Sequence, residues 1–206
     1  MQKSQNGNEV LSAILLSLAT VLSSWCAFQA SQWNGEQYFR IDDENIADNK
    51  RLQKEIVAVQ RRAGESNYFL YYLDAMSEGN TKKMDFLHSR FPPHMKTAVD
   101  KWMASDPMNN PNAAKSPFNL PEYVIPEIVE SKQFAAEAAE FKKKANEADK
   151  VSDNYLLLSI IISTALFFAG LSGVVGSKRF QRILTIIPVI ILVLVFAFLI
   201  RLPVII

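Results

Sequence analysis

Three stretches of this chain carry no charged residue, and each is long enough to cross a bilayer as a helix. They run over residues 10–28, 154–177 and 183–200. A membrane-spanning helix needs about 20 mostly apolar residues, and in lipid a helix satisfies its own backbone hydrogen bonds. The pattern predicts an all-α integral membrane protein whose three transmembrane helices cover residues 10–28, 154–177 and 183–201.

Nearly all of the charge lies between the first two apolar stretches. Residues 29–153 hold 17 of the 22 basic and 20 of the 21 acidic side chains, a net charge of −3 in a 206-residue chain whose total is +1. This uneven distribution excludes a plain soluble enzyme domain, a disordered chain and a basic nucleic-acid binder. The expected partner is therefore a lipid bilayer, and nucleic acid is not expected.

The short segment 178–182 between the last two apolar stretches fixes the expected orientation. It contains Lys178, Arg179 and Arg182 and no acidic residue. Short loops rich in Lys and Arg stay in the cytoplasm, so 178–182 is predicted to be a cytoplasmic loop. By alternation, residues 1–9 are cytoplasmic, whereas residues 29–153 and the tail 202–206 lie across the membrane.

Two long helices are predicted within the polar insert, over residues 29–80 and 127–153, and they form an extramembrane hairpin, or stalk. In each helix, one face repeats at spacings of four and three residues, the period of a helix-packing seam. We expect these two seams to pack against each other. The first seam comprises Leu52, Ile56, Val59, Ala63, Ser66, Leu70, Leu73 and Ser77, and the second comprises Phe134, Ala138, Phe141, Ala145, Ala148 and Ser152.

Residues 81–126 are predicted to form a proline-rich cap at the end of the stalk. Seven of the nine prolines fall between positions 92 and 126, and helical patterns cover 81–91 and 94–104. Loops held on rigid supports often carry recognition, so Phe91, Trp102, Phe118 and Tyr123 are candidate partner-contact residues. The alternative is that these aromatic side chains only close the end of the hairpin.

Several short motifs are shared with a known group of proteins. They include Ser24-Trp25-Cys26-Ala27-Phe28-Gln29-Ala30-Ser31-Gln32-Trp33-Asn34-Gly35-Glu36-Gln37, Ser116-Pro117-Phe118, Pro121-Glu122-Tyr123, Asp153-Asn154-Tyr155-Leu156 and Leu166-Phe167-Phe168-Ala169-Gly170. With these motifs the chain resembles an uncharacterised family of bacterial three-span inner-membrane proteins. The resemblance implies a bacterial inner membrane with residues 29–153 in the periplasm, and it implies no activity.

The polar side chains do not form a recognisable catalytic or metal-binding pattern. His88 and His94 are six residues apart, a spacing that does not place both on one helical face and is not typical of zinc sites. Cys26, the only cysteine, lies at a membrane boundary, far along the chain from either histidine. The prediction is a protein with no catalytic, cofactor or metal site.

Small residues on the second apolar stretch predict close helix packing. Ala165, Ala169, Gly173 and Ser177 recur at every fourth position, and such faces let helices approach closely in lipid. The packing partner is either another helix of the same chain or one from a second copy.

Hydroxyl-bearing and acidic residues near the first apolar stretch raise a second possibility. Ser17, Thr20 and Ser24 lie on one stripe and are possible pore-lining residues, although such hydroxyls also commonly bond back to preceding carbonyls. The acidic group at Asp42, Asp43, Glu44 and Asp48 is a possible cation entrance. The alternative is a solvated helical face neutralised by nearby basic residues such as Arg51.

Taken together, these patterns favour a non-enzymatic function. The first hypothesis is a scaffold or adaptor that self-associates as a homo-oligomer in the inner membrane and presents its stalk and cap to a periplasmic or membrane partner. The alternative is an oligomeric cation channel that uses the stripe of Ser17, Thr20 and Ser24 together with the acidic entrance.

Overall fold

The computed structural model describes the backbone of residues 2–206 and the side chains of residues 10–206. This described chain is 83% helical and contains no strand. It comprises α1 (Gln2–Ser77), α2 (Thr81–Ser89), α3 (Pro93–Ala104), a short 3-10 turn (Pro117–Asn119), α4 (Pro126–Val174) and α5 (Lys178–Leu199). Within the described residues, three helices, α1, α4 and α5, are long and apolar enough to cross a membrane.

The chain divides into two compact units. The first, here called the apolar unit, comprises Met1–Asp43 and Phe141–Ile206, and the second, the polar unit, comprises Glu44–Glu140. The apolar unit contains the uncharged parts of α1 and α4 together with α5. It also includes charged residues of α1 up to Asp43 and of α4 from Lys142, and the polar unit contains residues 44–77 of α1, residues 126–140 of α4 and the elements between them.

The core of the apolar unit combines small and branched side chains from three helices. Ala19 and Cys26 of α1 and Ala165 and Ala169 of α4 are at most 1% exposed, and they share a cluster with Val195 of α5. Small side chains let helix backbones approach closely where lipid provides no hydrophobic drive for association. Large apolar residues remain on the outside, as a helix surrounded by lipid requires; they include Leu18, Val21, Leu157, Ile160, Phe167, Ile186, Val193 and Leu194.

Hydroxyl groups join α1 to α4 inside the apolar unit. The Oγ atoms of Ser12 and Ser172 lie 2.7 Å apart, and those of Ser23 and Ser159 lie 3.1 Å apart. Ser152 Oγ donates to the Ala30 carbonyl at 2.9 Å. Interhelical hydrogen bonds of this kind contribute about 0.6 kcal/mol each in membranes, so they fix the register of two helices that small residues have brought together.

The segment after α5 is held by a clamp of polar side chains. Gln29, which is fully buried, donates from Nε2 to the Ile205 carbonyl at 2.8 Å, and its Oε1 accepts the Ile205 N–H at 3.0 Å. Trp33 Nε1 and the Tyr155 hydroxyl both donate to the Pro203 carbonyl, at 3.1 and 3.0 Å. Side chains from α1 and α4 thus satisfy backbone groups that no helix satisfies, as burial of the chain requires.

The connection between α4 and α5 differs from the predicted one. The sequence predicted a second apolar helix to 177 and a loop over 178–182, but α4 ends at Val174 and α5 begins at Lys178. The prediction of a loop at 178–182 is wrong because neither Gly nor Pro follows Ser177 to stop a helix from starting. Lys178, Arg179 and Arg182 therefore lie in the first turns of α5.

In the polar unit, α1 ends at a glycine in the left-handed region. Gly79 has φ +64°, and the Asn80 N–H bonds back to the Ala75 carbonyl at 2.9 Å, which completes a common helix-ending motif. The Asn80 side chain then accepts the Lys83 N–H at 3.1 Å and caps α2. The two short predicted helices are present, as α2 and α3.

The first predicted seam is wrong, whereas burial follows the second. Six of the eight predicted seam residues on α1 are exposed, and only Ser66 and Leu73 are half-buried. The buried face of α1 in the polar unit consists instead of Ala47, Ala58, Glu65, Phe69, Tyr72 and Ala75. Aromatic packing decided the outcome, because Phe69 and Tyr72 join the unit's core and turn the other face outward. On α4, Ala138, Ala145 and Ala148 are buried as predicted.

Replacing Gln29 with leucine should free the segment that the clamp holds. Loss of the two hydrogen bonds to the Ile205 backbone should lower the free energy of local opening by about 1–2 kcal/mol. This corresponds to a roughly tenfold larger equilibrium constant for opening. Hydrogen exchange should therefore be about tenfold faster in residues 202–206 of the Gln29→Leu variant. Gln32→Leu, an exposed glutamine on the same helix, is the matched control, and equal exchange in the two variants would contradict the clamp.

Candidate functional site

A carboxylate lies buried inside the polar unit with two hydrogen-bonding partners. Glu65 of α1 is 5% exposed. Its Oε2 accepts the Tyr123 hydroxyl at 2.7 Å, and His94 Nε2 lies 2.9 Å from Oε1 and 3.1 Å from Oε2. In the tautomer with its proton on Nε2, His94 donates to this carboxylate. Three separate elements, namely α1, α3 and the segment before α4, therefore meet at one charge.

The hydroxyl of Tyr123 is held in its protonated form. Burial is the main cause that raises the pKa of Tyr123, and the hydrogen bond to Glu65 raises it further, since a phenolate beside a carboxylate would be repelled. Arg61 and Arg62 lie near enough to oppose this shift, but they do not reverse it. Tyr123 thus remains a donor to Glu65 at neutral pH.

A second buried acid joins α1 to the start of α4. Arg61 donates from Nε to Glu127 Oε2 at 2.9 Å and from Nη2 to Oε1, which makes the pair bidentate. The Arg61 guanidinium lowers the pKa of the Glu127 carboxyl, chiefly through this hydrogen bond. Lys54 Nζ contacts Glu130 Oε2 at 2.5 Å, three residues further along α4. Charged pairs, rather than the predicted apolar seam, therefore hold these two helices in register.

Around this network lies an aromatic core that closes the polar unit. Phe69 packs edge-on against Trp102 and Phe118, with ring centroids 5.4 and 5.5 Å apart, and Phe118 packs edge-on against Tyr123 at 4.8 Å. The Trp102 Nε1 donates to the Ala114 carbonyl at 2.6 Å, which ties the proline-rich segment to α3. Met95 and Val99 fill the centre with no exposed surface.

The predicted partner-contact residues belong to this core. Phe91 and Trp102 are each 6% exposed, and Phe118 and Tyr123 are half-buried against the same cluster. Phe91 and Trp102 therefore offer little surface to a partner, because their rings are already used inside the unit, and their partner role stays a prediction. Their position fits the alternative reading, in which the aromatic side chains close the end of the hairpin.

The possible pore-lining residues lie on an exposed face of α1. Ser17, Thr20 and Ser24 are all exposed. The Ser17 hydroxyl donates to the Ala13 carbonyl at 2.9 Å, and the Thr20 hydroxyl donates to the Leu16 carbonyl at 2.8 Å. These two hydroxyls are therefore satisfied within their own helix.

The acidic residues at the possible cation entrance have basic neighbours on the same helix. Arg40 contacts Asp43 at 3.5 Å and Glu36 at 2.6 Å. Arg51 contacts Asp48 at 2.7 Å and Glu55 at 2.9 Å. Asp42 is exposed and Glu44 is half-buried. Helix-spaced ion pairs thus neutralise much of the negative charge that an entrance would need.

Only part of the predicted small-residue ridge is buried. Ala165 and Ala169 are fully buried, whereas Gly173 and Ser177 are exposed. Ser172, which is also fully buried and bonded to Ser12, lies next to Gly173 in sequence. Contacts within the chain therefore occupy the first half of the ridge.

Sequence reasoning missed the Glu65 network and the exposed tyrosines of α1. The sequence pattern raises only a metal-ligand role for His94, and within the described residues no group of three His, Cys, Asp or Glu side chains could hold a metal ion. In the run Tyr68-Phe69-Leu70-Tyr71-Tyr72, Phe69 and Tyr72 are buried, while Tyr68 and Tyr71 are 52% and 61% exposed. Helical periodicity alone separates these two pairs, but it does not say which pair faces inward.

Comparisons with protein-family models, curated proteins and solved structures give no significant match. The resemblance to a bacterial three-span family therefore stays a prediction.

Replacing Tyr123 with phenylalanine should weaken the polar unit by removing one donor from the buried Glu65. A buried acceptor that loses a partner costs about 1–3 kcal/mol, so hydrogen exchange in α3 should become roughly tenfold faster or more. Tyr71→Phe, at an exposed tyrosine, should leave that exchange unchanged.

The difference in α3 hydrogen exchange between the wild type and the Tyr123→Phe variant should become smaller at high pH. Because the folded pKa of Tyr123 is raised, its contribution to stability is fully present below the unfolded pKa of about 10 and is lost as the pH rises through the folded value. A difference between the wild type and Tyr123→Phe that grows above pH 10 would contradict this assignment.

Proposed function

We propose that this protein is a non-enzymatic, self-associating scaffold or adaptor of the bacterial inner membrane. Three spans hold it in the bilayer, with residues 1–9 in the cytoplasm and residues 29–153 in the periplasm. The latter form a helical stalk with a proline-rich cap over 81–126. Lys178, Arg179 and Arg182 support this orientation, since basic residues between short-spaced spans stay on the cytoplasmic side.

One observation carries the adaptor proposal, namely the outward-facing aromatic side chains of the polar unit. The unit has its own aromatic core, yet it leaves Tyr68 and Tyr71 more than half exposed on α1. Exposed tyrosine is enriched at protein–protein interfaces, because it combines a large apolar body with a hydroxyl that bonds at the rim. This surface takes the role that Phe91 and Trp102 had in the sequence prediction.

The rival cation channel has weaker support. Its pore stripe would need free hydroxyls, but those of Ser17 and Thr20 already donate to carbonyls of their own helix. Its entrance would need unpaired carboxylates, but Asp43 and Asp48 contact Arg40 and Arg51.

Photo-crosslinking from Tyr71 tests the adaptor proposal. A benzophenone amino acid at position 71, in cells that produce the full chain, should yield one defined product with a second protein, whereas the same group at the exposed Lys132 should not. Tyr71→Ala should reduce formation of that complex about 30-fold, since a central interface aromatic typically contributes 2 kcal/mol or more. Lys132→Ala is the matched control.

The proposal fails if position 71 gives no product with another protein. It also fails if positions 71 and 132 give the same set of products, because the exposed tyrosines would then mark no specific surface.

A further inference from the structure

An apolar stripe of α1 in the polar unit faces outward. Leu52, Ile56, Val59 and Leu70 are 42%, 58%, 69% and 62% exposed, and Ala63 between them is also exposed. At about 100° per residue, this stripe lies roughly 150° around the helix from the face buried in the polar unit. The helix therefore has two apolar faces, of which its own unit covers one.

Lipid does not account for the exposed stripe. Arg51, Lys54, Glu55, Arg61 and Arg62 lie in the same stretch of helix, and such a density of charge is costly within hydrocarbon. Covering these side chains with another protein surface would be favourable by about 25 cal/mol of free energy for every Å² of apolar surface removed from water.

The spacing of the stripe indicates that its cover is another helix. Positions 52, 56, 59, 63, 66, 70 and 73 alternate steps of four and three, which is the heptad period of a coiled-coil seam. Within the polar unit, the predicted seam of α4 is not open to this stripe, since Ala138 is buried and Phe134 is half-buried. The stripe therefore has the spacing that a helix from outside the unit, with the same period, would match.

We propose that this stripe, here called the outer seam (Leu52, Ile56, Val59, Ala63, Ser66 and Leu70), pairs with the outer seam of a second copy in a parallel coiled coil. The proposal deepens the proposed function, because it identifies the surface through which the scaffold self-associates.

Membrane insertion makes a second copy the natural partner. All copies that enter one bilayer do so in the same direction, so their α1 helices run parallel and present identical residues to one another. Anchoring in a shared membrane also raises the effective concentration of the two seams, which allows about three heptads to associate.

The charges beside the outer seam fit a parallel, in-register pair. Seam residues of a coiled coil alternate between two heptad positions, called a and d, and Ile56, Ala63 and Leu70 occupy a positions here. In a parallel pair, the residue just before each a position of one helix faces the residue that lies five positions further along the sequence in the other helix. Asp48, Glu55 and Arg62 would then face Gln53, Gln60 and Asn67 of the second copy. No like charges oppose each other in these three pairs.

Disulfide crosslinking in native membranes tests the pairing. In a Cys26→Ala background, Ile56→Cys and Val59→Cys should each form a covalent dimer under mild oxidation. Val57→Cys, at an equally apolar and 43% exposed position off the seam, is the matched control and should remain monomeric. Adding Ile56→Glu to Val59→Cys should reduce the dimer yield at least tenfold while leaving exchange in α3 unchanged, since Ile56 lies outside the unit's core.

Three results would overturn the proposal: no dimer from either seam position, equal dimer from Val57→Cys, or a crosslinked product of a mass other than twice the chain. The first and third would leave the adaptor proposal intact if position 71 still captured its partner. Conversely, seam dimers without capture at position 71 would support the pairing and remove the adaptor role.

Discussion

A bilayer interior supplies neither water nor counter-charge, so a chain that enters it must satisfy its backbone internally and keep its charges outside. The apolar unit follows this constraint in detail. Along its uncharged helices, large apolar side chains are exposed, while Ser12 bonds across helices to Ser172 and Ser17 bonds back to its own helix. Gln29 follows the same rule in the irregular segment after α5, because its amide satisfies both backbone groups of Ile205.

The polar unit depends on a different balance, in which buried charge is compensated rather than excluded. Glu65 and Glu127 are both nearly inaccessible, and each is held by donors from another part of the chain. A buried acid that lost these partners would be strongly destabilising, so the network permits few alternative arrangements of α1, α3 and α4. Since this network and the aromatic core fix one face of α1, the opposite apolar residues face outward.

Sequence reasoning identified the apolar helices, the two short helices and the α4 seam, because periodicity and charge patterns report these directly. It chose the wrong face of α1. Leu52, Ile56 and Val59 follow a regular heptad but are exposed, whereas Phe69 and Tyr72 follow a less regular pattern and are buried. Period alone cannot rank two faces, since the choice depends on which side chains find partners elsewhere in the chain. For the same reason, the link from Glu65 to His94 and Tyr123 could not be foreseen, because 29 and 58 residues separate them from Glu65.

The central claim is that the uncharged helices cross a membrane and place residues 29–153 on one side of it. Single cysteines at Asn112 and Lys178, in a Cys26→Ala background, test this most directly with a membrane-impermeant maleimide. One span lies between these positions, so Asn112→Cys should be labelled from outside intact cells stripped of their outer membrane, and Lys178→Cys only after the membrane is opened. Labelling of both positions from the same side would contradict the account.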